Sequence, residues 1–183
     1  MSKGIFLDRD GVIIENRSDY VRSWDDVEFI PESLEALEKL ASAPYRIVVV
    51  TNQSAVGRGI ITLSEAELIN ERLLKIIRNA GGRIDDLYMC PHAPEENCHC
   101  RKPRPGMLLE AAKDLQINLG DSLLVGDALT DLQASYKAGV SDSYLVLTGR
   151  GKDQLQLPGT ASIPPFTVID SLADLPAIIE KSM

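Results

Sequence analysis

Positive charge is scarce in this sequence: 19 Lys and Arg stand against 27 Asp and Glu, for a net charge of −8. A nucleic-acid binder usually carries a basic face, so no nucleic-acid partner is expected. No apolar run approaches the ~20 residues of a membrane span, so no membrane partner is expected either. Met1-Ser2-Lys3-Gly4 leads straight into a short apolar run, without the pattern of a secretory signal, and a cytoplasmic location is expected. There are only three cysteines, Cys90, Cys98 and Cys100, and two histidines, His92 and His99, all within one short stretch. An odd number of clustered thiols does not make a disulfide framework. There is no internal repeat and no block of charge. The chain is expected to act as a monomer.

What is present suits one domain over residues 1–183. The hydrophobic fraction of 44% and charged fraction of 25% are ordinary for a globular chain of 183 residues. Apolar runs with strand character fall at 4–7, 46–50, 86–90, 122–125, 143–147 and 167–169. Between them lie helical patterns: Leu34, Leu37, Leu40 and Ala41 after Pro31; Leu68, Ile69, Leu73, Ile76, Ile77 and Ala80 after a cap at Thr62 or Ser64; Met107, Leu108, Ala111, Ala112 and Leu115 after Pro105; and 129–138, closed by Gly139. The Gly- and Pro-rich stretch 148–166 reads as loop, and a final helix follows Ser171. Strands alternating with helices predict an α/β fold, a Rossmann-like doubly wound parallel sheet.

In such a sheet ligands gather at the carboxyl ends of the strands. Three strand ends carry polar signatures: Asp8-Arg9-Asp10-Gly11, Thr51-Asn52-Gln53-Ser54 and Gly126-Asp127. A fourth signature, Arg101-Lys102-Pro103, precedes a helix. Residues two apart in an extended chain face the same side, so Asp8 and Asp10 can share one small volume. Each feature has a plainer alternative: a solvated turn, a strand terminus, a surface lysine. Their joint placement is what points to a site. Asp8, Asp10 and Asp127 would repel one another unless a hard divalent cation such as Mg²⁺ compensates. Lys102 and Thr51 could then hold a phosphoryl group from its other side.

These four signatures, in this order, resemble the motifs of the haloacid dehalogenase (HAD) superfamily phosphatases, with Asp131 completing the last. The resemblance spans most of the chain. It implies a HAD-like fold and a Mg²⁺-dependent phosphomonoesterase. Asp8 would be the nucleophile and Asp10 the general acid/base. Thr51 and Lys102 would stabilise the phosphoryl group. Mg²⁺ would be held by Asp8, the Asp10 carbonyl and Asp127, with Asp131 orienting Lys102 or a bound water.

The Cys/His stretch offers a closed set of four N/S ligands, Cys90, His92, Cys98 and Cys100, which suits a structural Zn²⁺ loop over 90–100. His99 is a possible substitute for His92. The loop runs into Arg101-Lys102 and would fix both cations. It resembles one branch of the superfamily, the heptose bisphosphate phosphatases and the histidinol-phosphate phosphatases. There is no room for a cap domain, so the phosphatase is expected to be capless and to act on a small phosphorylated sugar or similar phosphomonoester. Asp19-Tyr20-Val21, Arg58-Gly59, residues 101–107 and residues 171–176 resemble the heptose 1,7-bisphosphate 7-phosphatases, and this resemblance implies that activity. The short gap between His92 and Cys98 leaves histidinol phosphate as the alternative. A polynucleotide-end phosphatase or a non-catalytic zinc-stabilised binding module fits less well. In the favoured reading Arg17, Ser18, Asp19 and Tyr20, with Asn52, Gln53 and Ser54, line the sugar, and Arg101 contacts the phosphorylated substrate. Tyr20 and Trp24 fit core packing equally well. Two departures stand out: Ala128 where a lysine is usual in the heptose enzymes, and Val12 where threonine is usual.

Overall fold

The computed structural model describes residues 1–181. Six strands form one parallel sheet: β1 (Lys3–Leu7), β2 (Tyr45–Asn52), β3 (Asp86–Cys90), β4 (Leu123–Gly126), β5 (Asp142–Val146) and β6 (Thr167–Ile169). Their order is β3-β2-β1-β4-β5-β6. The chain builds outward from β1 on one side, then returns to lay β4 against its other edge. β1 is therefore the switch point, where an open α/β sheet offers its crevice. Register is tight there: Leu7 pairs with Val49 of β2 and Val125 of β4.

The strand interiors are apolar because both faces are covered. Ile5, Leu7, Ile47 and Val49 face α1 (Ser33–Leu40), α3 (Leu63–Asn79) and α7 (Leu175–Lys181). Phe6, Val48 and Val50 face α4 (Gly106–Asp114), with Ala134 of α5 (Leu129–Ala138) in the same cluster. Thr62 caps α3 as expected, in a reciprocal box with Glu65. Val12 is fully buried in the core beneath β1, where a methyl replaces a hydroxyl at no cost in unpaired polar atoms.

Several expectations need correction. Leu68 is 62% exposed: the buried stripe of α3 runs through Ile69, Leu73 and Ile77, and Leu68 falls to one side of it. On α1 it is Ala36, not Ala41, that joins Leu37 and Leu40 inside. Ser54, read only as part of a strand-end signature, opens a single turn of helix, α2 (Ser54–Gly57). The expected loop 148–166 contains α6 (Gly151–Gln154) and a 3-10 turn at Pro158–Ser162. Helices this short bury too few positions to leave a periodic signal. Among the described residues no helix is long and apolar enough to cross a membrane.

Candidate active site

The carboxyl ends of β1, β2 and β4 deliver Asp8, Thr51 and Asp127 to one volume. Asp8 continues β1, its N–H donating to the Val125 carbonyl at 3.0 Å. Gly11 then turns the chain at φ +85°, and a side chain at that position would collide with Asp127. Asp127 is fully buried beside that turn. The expected glycine at the end of the first motif is thus required twice, by conformation and by contact.

Lys102 reaches in from the loop before α4 and is 3% exposed. Its Nζ lies 3.0 Å from Asp8 Oδ1 and 2.7 Å from Asp131 Oδ1, and donates to the Val50 carbonyl at 2.8 Å. The ammonium is thus hydrogen-bonded to a strand carbonyl and ion-paired with two buried carboxylates. Burial works against the Lys102 charge, but Asp131 and Asp8 outweigh it and the net shift holds the proton more firmly. Asp8 is pushed up to about 6, chiefly by burial, with Asp131 and Asp10 adding to the rise and Lys102 opposing it. Asp127 is also raised, again chiefly by burial, against the pull of Arg150. This is a site short of positive charge.

Asp8, Asp127 and Asp131 each place a carboxylate oxygen within 4.8 Å of the other two. Buried, oxygen-only and under-compensated, this set fits a hard divalent cation. The thiol cluster fits a different one. Cys100 Sγ lies 3.3 Å from Cys90 Sγ, Cys98 Sγ and His92 Nδ1, and Cys90 Sγ lies 3.5 Å from Cys98 Sγ and 3.6 Å from His92 Nδ1. Tetrahedral Zn–S bonds of ~2.3 Å require sulfurs ~3.8 Å apart, so the four atoms are near zinc spacing. His99 is exposed and outside the cluster. Arg104 secures the loop from below, donating to the Cys98 carbonyl and to Asn97 Oδ1.

The cleft above these groups measures about 430 Å³. Arg17, Ser18, Tyr20, Asn52, Gln53, Ser54, Arg101 and Lys102 all line it, as do Asp8 and Asp10. Asp19 does not: it is exposed on the turn that Tyr20 N–H closes by donating to the Arg17 carbonyl at 3.3 Å. Three of the expected sugar contacts are occupied within the protein. Asn52 holds Lys102 by its backbone, accepting from N–H and donating to the carbonyl, both at 3.1 Å. Gln53 donates to Asp10 Oδ2 at 2.9 Å and Thr51 Oγ1 at 2.8 Å. Ser54 Oγ accepts from Arg101 at 2.8 Å. Tyr20 both lines the cleft and packs with Ala55, Ile61 and Ala66. Trp24 packs on the main core, under the Arg72 guanidinium at 4.4 Å.

Sequence reasoning missed the roles of Arg9, Asn70 and Arg150. Arg9 is 1% exposed and clamps Asp10 through two bonds, Nε to Oδ2 at 3.0 Å and Nη2 to Oδ1 at 3.2 Å. Asn70 of α3 anchors the same guanidinium at 2.7 Å. A cation between two acids reads in sequence as a spacer. Its burial depends on a helix sixty residues away. Arg150 lies beyond the end of β5, which closes at Val146, and so escapes the strand-end rule that found Asp8.

Comparison with known proteins agrees with this geometry. Residues 99–175 match the HAD-hydrolase-like family. The chain is 40% identical over 173 residues to the D-glycero-beta-D-manno-heptose-1,7-bisphosphate 7-phosphatase of Neisseria meningitidis serogroup A, covering 94% of this chain and 91% of that one. It is 37% identical to the enzyme of the same name from Bordetella bronchiseptica, covering 98% and 97%. The crystal structure of the D,D-heptose 1,7-bisphosphate phosphatase of B. bronchiseptica, complexed with magnesium and phosphate, superposes with a TM-score of 0.92 at 35% identity, over 99% of both chains. The fold and site thus define a HAD-like hydrolase. Within that class the chain belongs to the D-glycero-beta-D-manno-heptose-1,7-bisphosphate 7-phosphatase family.

Proposed function

We propose that this chain acts as one domain and a monomer in the cytoplasm, and removes the 7-phosphate of D-glycero-D-manno-heptose 1,7-bisphosphate through an aspartyl-phosphate intermediate. The observation that carries this reading is the buried Lys102 bridging Asp8 and Asp131, in a chain 40% identical to a phosphatase of that name.

Asp8 attacks phosphorus, a P–O bond forms to its carboxylate, and the ester P–O bond breaks. Asp10 gives its carboxyl proton to the leaving alkoxide, then takes one from the water that cleaves the acyl phosphate. Arg9 and Gln53 keep the Asp10 carboxylate in place through both steps. Lys102 and the Thr51 hydroxyl face the phosphoryl oxygens as charge develops. Asp8, the Asp10 carbonyl and Asp127 would hold Mg²⁺, with Asp131 behind them. When bound, the ion supplies charge neutralisation that lets Asp8 stay ionised and approach a phosphate dianion. Arg101, whose side chain has no carboxylate among its hydrogen-bond partners, is placed for the substrate's other phosphate.

The experiment is phosphate release with Mg²⁺ from both anomers of the heptose bisphosphate, histidinol phosphate and a 3′-phosphorylated oligonucleotide. The expected result is a clear preference for the heptose bisphosphate. Preference for histidinol phosphate would overturn the substrate and leave the chemistry standing.

Cys90, His92, Cys98 and Cys100 are proposed to hold a structural Zn²⁺. Native protein should then contain about one zinc per chain. Cys98→Ser is expected to lose it and to lower the thermal midpoint by at least ~5 °C, roughly 2 kcal/mol for a chain of this length. Elemental analysis and calorimetry check both, and an unchanged zinc content would refute the assignment.

A further inference from the structure

We propose that Arg150 is an internal counter-ion of the cation site, which a divalent cation must displace from Asp127 in order to bind. This rests on the reading of Asp127 as a cation ligand.

The turn Thr148-Gly149-Arg150-Gly151 is pressed onto the ends of β1 and β4. Thr148 Oγ1 donates to the Gly11 carbonyl at 2.6 Å. Gly149 adopts φ +57°, and a Cβ there would sit 2.5 Å from both Asp127 Oδ2 and Gly11 Cα. So placed, Arg150 gives Asp127 three donors: its backbone N–H to Oδ2 at 2.9 Å, Nε to Oδ2 at 3.1 Å and Nη2 to Oδ1 at 2.8 Å. A carboxylate has about four lone-pair sites, so three are taken, with both oxygens engaged. Asp127 itself is fully buried, and Arg150 forms the cleft wall in its place.

A cation held by Asp8, the Asp10 carbonyl and Asp127 needs one of these Asp127 oxygens. It also meets the positive charge of the guanidinium. Both effects oppose metal binding. The two basic groups at the site differ in freedom. The Lys102 side chain is 2% exposed, enclosed by Asp8, Asp131 and the Val50 carbonyl. The Arg150 side chain is 47% exposed and has the open cleft to move into. Its backbone N–H bond to Asp127 remains when the side chain swings away, so the carboxylate keeps its orientation.

The opposite role is that Arg150 steadies Asp127 for the metal, and it predicts the opposite sign. The test is Mg²⁺ titration by calorimetry on the metal-stripped full chain without substrate, for wild type, Arg150→Gln and Arg150→Lys. Arg150→Gln is expected to bind Mg²⁺ about three- to fivefold more tightly, as loss of an ion pair with a half-exposed cation would allow. Arg150→Lys, which keeps the charge but loses the fork, is expected to fall between the two. The metal-free thermal midpoint of Arg150→Gln should drop, and the rise on adding Mg²⁺ should exceed that of wild type. Should Arg150→Gln fail to fold, Arg150→Lys carries the test with a two- to threefold gain. Equal or weaker Mg²⁺ binding in a folded variant overturns the role of Arg150 alone. A wild-type chain that binds no Mg²⁺ overturns the cation reading of the acidic cluster as well.

Discussion

Asp8→Asn is expected to lower phosphate release by at least ~10⁴-fold while leaving the far-UV spectrum and the sheet intact. The amide is nearly isosteric, so packing at the end of β1 does not change. What is lost is the attacking oxygen. A second consequence follows from the environment of the carboxylate. Burial, with Asp131 and Asp10, pushes Asp8 up to about 6 in the folded protein against an ordinary 3.8. The folded state therefore binds the Asp8 proton more tightly than the unfolded state does. Between pH 4 and 6 the folded protein holds more protons, so this group's contribution to stability falls as pH rises through that window. Above it the full cost of a buried charge remains unless a cation offsets it. In EDTA, the wild-type midpoint should accordingly decline from pH 4 to pH 6 relative to that of Asp8→Asn. Mg²⁺ at neutral pH should stabilise wild type more than the variant. Retained turnover in the variant would remove Asp8 as nucleophile, and parallel pH curves would remove the argument from burial.

The parts of this site readable in sequence are those that obey short-range rules. Asp8 and Asp10 are two apart on an extended segment, and Thr51 and Asp127 end apolar runs. The four zinc-type ligands lie within eleven positions, so their convergence needed little of the fold. The parts that were not readable depend on packing between distant segments. Asn52, Gln53 and Ser54 were expected to face a sugar. They line the cleft, and they also brace Lys102, Asp10 and Arg101 from within, which no local pattern foretells. Arg9 looked like a spacer, since nothing local shows that Asn70 of α3 will meet it. Arg150 lay in a Gly- and Pro-rich stretch whose one-turn helix has no periodicity, twenty-three residues from the aspartate it holds. Leu68 shows the converse error: helical spacing alone does not fix which neighbouring position of a stripe turns inward.

Lys102→Met is expected to be costly twice over. Methionine matches the aliphatic stem in length and fills the same space, so the loss is one of charge and not of packing. It leaves Asp8 and Asp131 facing each other in a volume where both are buried. Breaking a buried pair by removing one partner costs about 3–5 kcal/mol, and here one ammonium serves two carboxylates. Urea unfolding should register that loss. The cluster can relieve itself by taking up a proton, and Asp8, already raised to about 6 with Lys102 present, is the group placed to take it. A protonated Asp8 does not attack phosphorus. The activity of Lys102→Met should therefore fall at neutral pH by more than the ~10²–10³-fold of a missing oxyanion donor. Part of that loss should return as pH is raised and Asp8 ionises. A plain loss of phosphate contact predicts a pH profile parallel to wild type. A loss of Asp8 ionisation predicts a limb displaced to higher pH. Measuring kcat/KM from pH 5 to 9 distinguishes the two, and the second is expected, because one Nζ lies within ion-pair distance of both carboxylates.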